Sequence, residues 1–398
     1  MKVLHLNTFN TGGAARACLR IHHGLLKAGM ESTVLLRNKT RTDVPHVHEI
    51  WEELNPIQKT KKLVEHKVDD LRQRDLNTRV SETFQLVSSF KSVWDVTSSK
   101  HYREADIIHL HWVANFVDFP SFFSRCDKKI VWTLHDFSPF NNGLHYPGKH
   151  SGIFDPEMDE NRKIMQQAMT HCKPVIVSPS QYLLNHSRKS EAFAGLEHHR
   201  IFNGTNTGIY RYQDKNTCRR ELGLPEDKKI ILFVAEHIND PRKGYQILID
   251  ALEQMDRDEL YFVVVGKNQP STTLREERVF FLGSVSDEEK LSRIYNSADL
   301  FVIPSTDENL PNTVSEAFCC GCPVAGFQIG GIPEMVTTGA NGFLSPEVSA
   351  EGLNQVINQA LESNWNNKAI ASESNLIFDD LKCAKAYIEV YKQLNPEN

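Results

Sequence analysis

"ENLPNTVSEAFCCGCPVAGFQIGGIPEMV", residues 308–336, is the stretch whose reading decides the fold. Upstream lie the apolar run DLFVIPS (299–305), which reads as a buried strand ending at Ser305, and the polar loop TDEN. Pro311 suits a first helical turn, where its missing N–H is not needed, and Asn309 suits the cap. A helix then runs through Val314, Ala317 and Phe318, followed by the strand CPVAGF (322–327) and a turn with Gly330, Gly331 and Pro333. Strand, helix and strand in that order imply a parallel sheet. The helix start faces the C-terminal edge of that sheet, where open α/β sheets bind ligands and an anion is favoured. Glu308 falls just outside the helix and Glu316 two turns inside it, facing the same crevice. Carboxylates so placed can grip the paired hydroxyls of a sugar or ribose; two solvated acids on a helix face are the plainer reading.

The same alternation extends outward. KVLHLNT (2–8), STVLLR (32–37), DIIHLHW (106–112), KIVWTLHD (129–136) and PVIVSPS (174–180) read as strands, with an amphipathic stretch from Ala15 to Ala28 among them. A second series holds KKIILFVAE (228–236), LYFVVVG (260–266), VFFLG (279–283), DLFVIPS and CPVAGF. Two α/β halves result, divided near 205–226. The segment from about 43 to 103 is polar and helical in tone, a solvated insertion or a surface for anionic lipid or a partner. Ile377, Leu381, Ala384, Ile388 and Tyr391 put one apolar stripe on a final helix from about 375 to 394, so it docks.

Composition narrows the function. The 398 residues carry a formal charge of −6, without the basic bias of a nucleic-acid binder. The N-terminal stretch reads as a strand and a turn rather than a signal peptide, and no apolar run approaches the ~20 residues of a membrane span. Eight sparse cysteines without framework spacing point to reduced thiols and a cytoplasmic setting. Cys319, Cys320 and Cys322 lack the second ligand pair of a zinc site and read as packing residues.

Other residues fall at strand ends. In DPRKGYQILIDAL (240–252), Arg242 and Lys243 precede a helix and can neutralise a pyrophosphate, Arg as a planar fork and Lys as a point charge. Gly12 and Gly13 lie between the first strand and helix, where backbone can approach a ligand; G-x-G-x-x-G is absent, which disfavours a nicotinamide enzyme. His109 and His111, two apart, share a strand face, and His135 and Asp136 close the run KIVWTLHD. These groups read as hydroxyl binders or packed core residues ahead of a metal site, with His135 the foremost functional candidate. The loop FSPFNNGLHYPGKH (137–150), with Tyr146, shapes an acceptor pocket or is plain surface.

With these motifs in hand, the chain resembles the GT-B glycosyltransferases of family 4, retaining enzymes that use nucleotide-activated sugars. Its bacterial capsule and exopolysaccharide branch, colanic-acid-like, is the nearest. The resemblance rests on NTGGAAR, ADIIHLHW, WTLHD, SPSQYL, IFNGTNTGIY, DPRKG and the opening stretch, where Glu308 and Glu316 fit an E-x7-E motif. It implies an α/β GT-B fold of two facing Rossmann-like domains across a deep cleft. The domains are an acceptor-binding one over 1–205, a nucleotide-sugar-binding one over 206–374, and a last helix, 375–398, crossing back. It further implies that Glu308 contacts the donor sugar with Asn309, Leu310, Pro311, Asn312 and Thr313 beside it, that Glu316 holds the ribose, and that Arg242 and Lys243 bind the diphosphate. The base lies near Gly283 to Val285. His135 stands near the reacting centre, and Gly12, Gly13, His111, Asp136 and Tyr146 line the phosphate or acceptor side. The family's arginine after the first strand of the second half is missing: the chain reads Ala235-Glu236-His237, so Arg242 or His237 takes that role.

The activity so implied moves a sugar from a nucleotide diphosphate, UDP- or GDP-linked, to a glycan or polyprenyl-linked acceptor with retention. His135, Lys243 and Glu308 carry the reaction, no metal or cofactor is needed, and peripheral membrane contact is compatible. Charge on the leaving diphosphate is met by cations and the helix start, and a same-face attack is preferred because no nucleophile stands out. The alternatives are a nucleotide-sugar 2-epimerase of the same architecture and a non-catalytic nucleotide-sugar-binding protein.

Overall fold

The computed structural model describes residues 1–40, 44–65, 67, 71, 86–147, 155–255, 259–268 and 272–395. Much of the polar segment over 43–103, and residues 148–150 of the aromatic loop, lie outside the described residues. The chain forms two compact units, residues 1–202 with 383–398, and residues 203–382.

The first unit holds β1 (Lys2–Phe9), β2 (Glu31–Asn38), β3 (Val47–Glu49), β4 (Ile107–Leu110), β5 (Lys129–Thr133), β6 (Val175–Ser178) and β7 (His198–Arg200). All pair in parallel, in the order β3-β2-β1-β4-β5-β6-β7. The chain steps outward from β1 to β3, then returns to lay β4 on the other side of β1. That reversal between β1 and β4 is the switch point at which doubly wound sheets bind ligands. β3 and β7, three residues each and rich in His, Glu and Arg, carry too little apolar pattern to be read from sequence.

Alternation of side chains divides this sheet into two faces. Leu4, Leu6, Ile108, Leu110, Ile130 and Trp132 point to one core. The odd-numbered face carries Val3, Ile107, Val131 and Val175 against Ile21 and Leu25 of the helix Gly13–Lys27 and against Tyr387, Val390 and Tyr391 of the last helix. Moving toward the C-terminal strand ends, that face turns from aliphatic to polar: His5, His109 and Thr133 are all fully buried.

The terminal helix expected over 375–394 is two helices, Asn367–Phe378 and Asp380–Leu394. Thr205 causes the break. Its N–H donates to the Phe378 carbonyl at 2.7 Å and its carbonyl accepts from the Asp380 N–H at 3.1 Å, while the Thr207 hydroxyl donates to Asp379 at 2.7 Å.

The second unit holds β8 (Lys229–His237), β9 (Leu260–Lys267), β10 (Val279–Phe281), β11 (Leu300–Ile303), β12 (Val324–Phe327) and β13 (Gly342–Ser345). Their order is β10-β9-β8-β11-β12-β13, all parallel, with the switch point between β8 and β11. Ile231, Phe233, Phe262, Val264, Leu300 and Val302 pack against the helices Tyr245–Glu253 and Ala350–Glu362. The thiols of Cys319, Cys320 and Cys322 are buried and unbridged.

Candidate functional site

In the second unit, topology brings the expected residues together. The turn after β8 carries Arg242 and Lys243 and the loop after β11 carries Glu308, so both lie at the switch point. Lys243 Nζ is 2.5 Å from Glu308 Oε1, which also accepts from Ser305 Oγ at 3.0 Å. The Thr306 N–H donates to the Arg242 carbonyl at 2.8 Å and stitches the two segments. Two glycines allow this closeness. A Cβ on Gly244, at φ 66°, would lie 1.9 Å from the Pro304 carbonyl oxygen; one on Gly330, at φ 53°, would lie 1.7 Å from that of Glu308. Gly331 N–H then donates to Asn309 O at 2.8 Å, fastening the glycine turn beneath the carboxylate loop.

Three details differ from the sequence expectation. The helix begins only at Asn312, because the backbone stays extended through Pro311 (φ −71°, ψ 122°); Asn309 is not its cap, and no side chain caps it. Glu316 therefore sits one turn inside rather than two. It is fully buried rather than displayed on a rim, with Oε2 accepting from the Tyr295 hydroxyl at 3.1 Å. Val285 lies in the irregular stretch after β10, at the sheet edge two strands from β8.

The electrostatics are mixed rather than simply basic. Arg242 is paired with Asp240 in its own turn, and Lys243 with Glu308. Asp307 completes the cluster. Burial and the adjacent Glu308 push its carboxyl up to about 6, with Arg242 and Lys243 pulling the other way. Leu310 and Pro311 are buried, Asn309 and Thr313 partly so, and Asn312 Oδ1 accepts from Asn203 Nδ2 at 3.1 Å. His237, at the end of β8, is exposed.

In the first unit, the residues after β4 and β5 form a different kind of network. His111 is buried, with Nε2 2.9 Å from His5 Nδ1 and Nδ1 3.1 Å from His135 Nε2. Both ring nitrogens are thus engaged by protein: β4 has ended at Leu110, and the ring turns inward. His109 spends its nitrogens on Thr133 Oγ1 and the Tyr391 hydroxyl, both at 2.7 Å. The nitrogens of His5, His109 and His111 lie within 4.8 Å of one another, close enough for a metal cluster. Their bonds to one another and to hydroxyls knit them instead as a polar core. Burial, reinforced by neighbouring histidines, lowers all three imidazoles well below their ordinary value.

Asp136 likewise has both carboxylate oxygens engaged by protein. Oδ1 accepts from the Ser138 N–H at 2.8 Å and its hydroxyl at 2.7 Å; Oδ2 accepts from Trp112 Nε1 at 2.9 Å and His145 Nδ1 at 2.6 Å. Burial pushes this carboxyl up, but His145 and the Ser138 donors outweigh burial and hold it at about 2. His145 continues to Ser88 Oγ at 2.7 Å, so the carboxylate orients the loop that follows His135. Gly12 precedes the helix Gly13–Lys27, whose start has no side-chain cap, and Tyr146 is partly buried beside His145. The aromatic loop borders a cavity of about 430 Å³ lined by Phe137, Phe140, Asn141, Asn142, Arg162 and Lys189, among others.

Sequence reasoning missed Ser305, Asp307, Tyr295, His5 and His145. Asp307 adjoins Glu308, and His5 and His109 are cross-strand partners on β1 and β4, so adjacency and strand register were the signals available.

The doubly parallel architecture is that of the GT-B fold. Sucrose-phosphate synthase from Thermosynechococcus elongatus superposes with a TM-score of 0.72 over 100% of both chains at 18% identity. Anabaena HepE in complex with UDP-glucose superposes with a TM-score of 0.68 over 99% of this chain and 100% of its own, at 20% identity. Residues 214–375 match the family model "Glycosyl transferases group 1". D-inositol 3-phosphate glycosyltransferase of Corynebacterium aurimucosum is 26% identical over 376 residues, 89% of this chain and 83% of its own. The chain has the GT-B fold, and its residues 214–375 resemble the group 1 glycosyl transferases.

Proposed function

We propose that the protein is a retaining hexosyltransferase of family 4 that takes a sugar from a UDP- or GDP-linked donor and delivers it to a glycan or polyprenyl-linked acceptor in bacterial surface polysaccharide synthesis. One observation carries this reading: Lys243 from the turn after β8 and Glu308 from the loop after β11 meet at the switch point of the second sheet. A cation there stabilises the charge that grows on the departing diphosphate, and a carboxylate holds sugar hydroxyls and eases positive character on the ring. The start of the helix Asn312–Cys319 adds N–H groups and a positive dipole end. Glu316, held by Tyr295, serves the ribose after a local rearrangement. Arg242 stands in for the missing arginine once a phosphate competes with Asp240 for it. HepE is bound to UDP-glucose in its crystal structure, which supports uridine as the base.

The first unit supplies the acceptor side. His135 stands at the reacting centre and the aromatic cavity takes an acceptor sugar. No bound metal is required. A lipid-linked acceptor agrees with the helical stretch over 56–65. Ile57 and Val64 are 83% and 62% exposed on one helical face; Lys61 and Lys67 flank that face, the pattern of a helix lying on an anionic membrane surface. Among the described residues no helix is long and apolar enough to cross a membrane.

A thermal-shift panel of UDP-, GDP-, ADP- and TDP-sugars tests the reading. The true donor at a hundred times its Kd adds about 2.7 kcal/mol of stability. Lys243→Ala abolishes that shift; a shift that survives unchanged removes the diphosphate from this turn.

A further inference from the structure

His5, His111 and His135 form a line of imidazoles joined by two nitrogen–nitrogen hydrogen bonds, at 2.9 and 3.1 Å. His5 and His111 are buried and His135 is only partly so. At the inner end, His5 Nε2 is buried with no hydrogen-bond partner among the described residues. We propose that His5 and His111 are positioning residues, a relay that fixes His135 as the tautomer with its proton on Nδ1. The consequence for catalysis rests on the reading that His135 stands at the reacting centre; the tautomer itself does not.

The argument is proton counting. A neutral imidazole carries one N–H and one bare nitrogen. Three neutral rings therefore hold three protons, and each of the two bonds between them uses one. Only two arrangements satisfy both bonds. In the first, every proton sits on the side facing His5: His135 donates from Nε2, His111 donates from Nε2, and the His5 proton is stranded on Nε2. In the second, every proton sits on Nδ1: His5 donates to His111 Nε2, His111 donates to His135 Nε2, and His135 bears its proton on Nδ1. The first buries an N–H without an acceptor, the rarer and costlier defect in folded proteins. The second leaves a bare lone pair on His5 Nε2 and puts the His135 N–H at the partly exposed end of the line, so the second prevails.

His109 does not divert the relay. Its ring lies 4.9 Å from that of His5 and 4.1 Å from that of His111, but its own nitrogens are committed to the Thr133 and Tyr391 hydroxyls. The relay also resists protonation of His135. A second proton would occupy Nε2 and confront the N–H of His111, and the whole line would have to reverse to relieve it. Burial likewise holds the His135 imidazole down to about 4, against the pull of the neighbouring Asp136 carboxylate. His135 is thereby a hydrogen-bond donor through Nδ1 and not a base there. It can orient an oxygen of the sugar but cannot accept a proton from an incoming hydroxyl at that atom.

Long-range proton–nitrogen NMR of the 15N-labelled full chain reads the tautomer directly. The expected result is a pyridine-type nitrogen at His135 Nε2 and a pyrrole-type nitrogen at Nδ1. His5→Leu removes the innermost donor and makes both nitrogens of His135 average between the two types. His5→Asn, whose amide nitrogen can replace Nδ1 as donor, keeps the wild-type pattern. In transfer assays His5→Leu lowers kcat about tenfold with the donor KM unchanged, and His5→Asn recovers most of it. A proton on Nε2 of wild-type His135, or an averaged signal in the wild type, overturns the relay even if His5→Leu does not fold. A lost tautomer with kcat unaffected leaves the relay standing and removes His135 from the reacting centre.

Discussion

The two sheets of this chain reverse direction in the same way, yet the residues at their switch points differ in kind. At the β8–β11 reversal, two cations and three carboxylates gather in half-exposed turns: Arg242, Lys243, Asp240, Asp307 and Glu308. At the β1–β4 reversal, the polar groups are neutral imidazoles and hydroxyls sunk into the core. The difference follows from where the side chains attach. The charged groups stand on turns beyond the strand ends, where water still reaches them. His5, His109 and Thr133 stand on the strands themselves, where an ion would be expensive and a neutral hydrogen-bonded network is not. The charged switch point can change its partners when an anion arrives; the neutral one can only hold a shape.

Substituting on the charged side should therefore cost function with little stability. Glu308→Gln keeps size and a hydrogen-bond acceptor but removes the charge. Transfer kcat/KM is expected to fall about a hundredfold, on the scale of losing one preorganised electrostatic contact. Thermal stability should move by less than about 1 kcal/mol, since the pair with Lys243 is only partly buried, at 29% and 13% side-chain exposure. A variant that unfolds instead, with normal activity in the folded fraction, would make the pair architectural.

On the neutral side the expectation is reversed, and Asp136 is its sharpest case because it is a charged carboxylate adjoining His135. Its carboxyl is depressed from 3.8 to about 2, so it adds stability above its unfolded value, and that stability is lost as the pH falls through about 2. The difference corresponds to about 2 kcal/mol at neutral pH. Asp136→Asn should lower stability by that amount in denaturant titrations at pH 7 and flatten the pH dependence between 4 and 2. Transfer per folded molecule should drop less than tenfold. A large loss of activity with unchanged stability would return Asp136 to the substrate.

What could be read from the sequence follows the same division. Most strands, their order of appearance and the placing of Glu308 and Lys243 beyond strand ends were legible, because apolar runs and turn chemistry are local. The register that sets His5 beside His109 was not, since it depends on which strand lies next to which. Nor was the inward turn of His111. Its strand face was readable, but the end of β4 at Leu110 and the two histidines that meet it were not. The helix start slipped by two residues, from a cap at Asn309 to one at Pro311, because extended backbone before a helix has no sequence mark when no capping side chain is used.

Asp307 offers the finest test, because it carries the strain of the charged switch point. Its carboxyl is raised from 3.8 to about 6 by burial and by Glu308, so the native state binds the proton more tightly than the unfolded chain does. The sign is opposite to that of Asp136. Stability is fullest below pH 3.8 and declines as the pH rises toward about 6, by roughly 1 kcal/mol after allowance for solvent screening. Asp307→Asn should remove this slope, raising Tm at pH 8 and leaving it nearly unchanged near pH 4. If a diphosphate binds beside Lys243, its charge pushes the Asp307 carboxyl further up. The wild type should then take up protons on binding near pH 7, seen as buffer-dependent heats in calorimetry, and bind more tightly as the pH falls. Asp307→Asn should bind the nucleotide diphosphate more tightly at pH 8 and without proton uptake. Equal affinities for wild type and variant across pH 6 to 8 would mean that the anion binds away from this carboxylate.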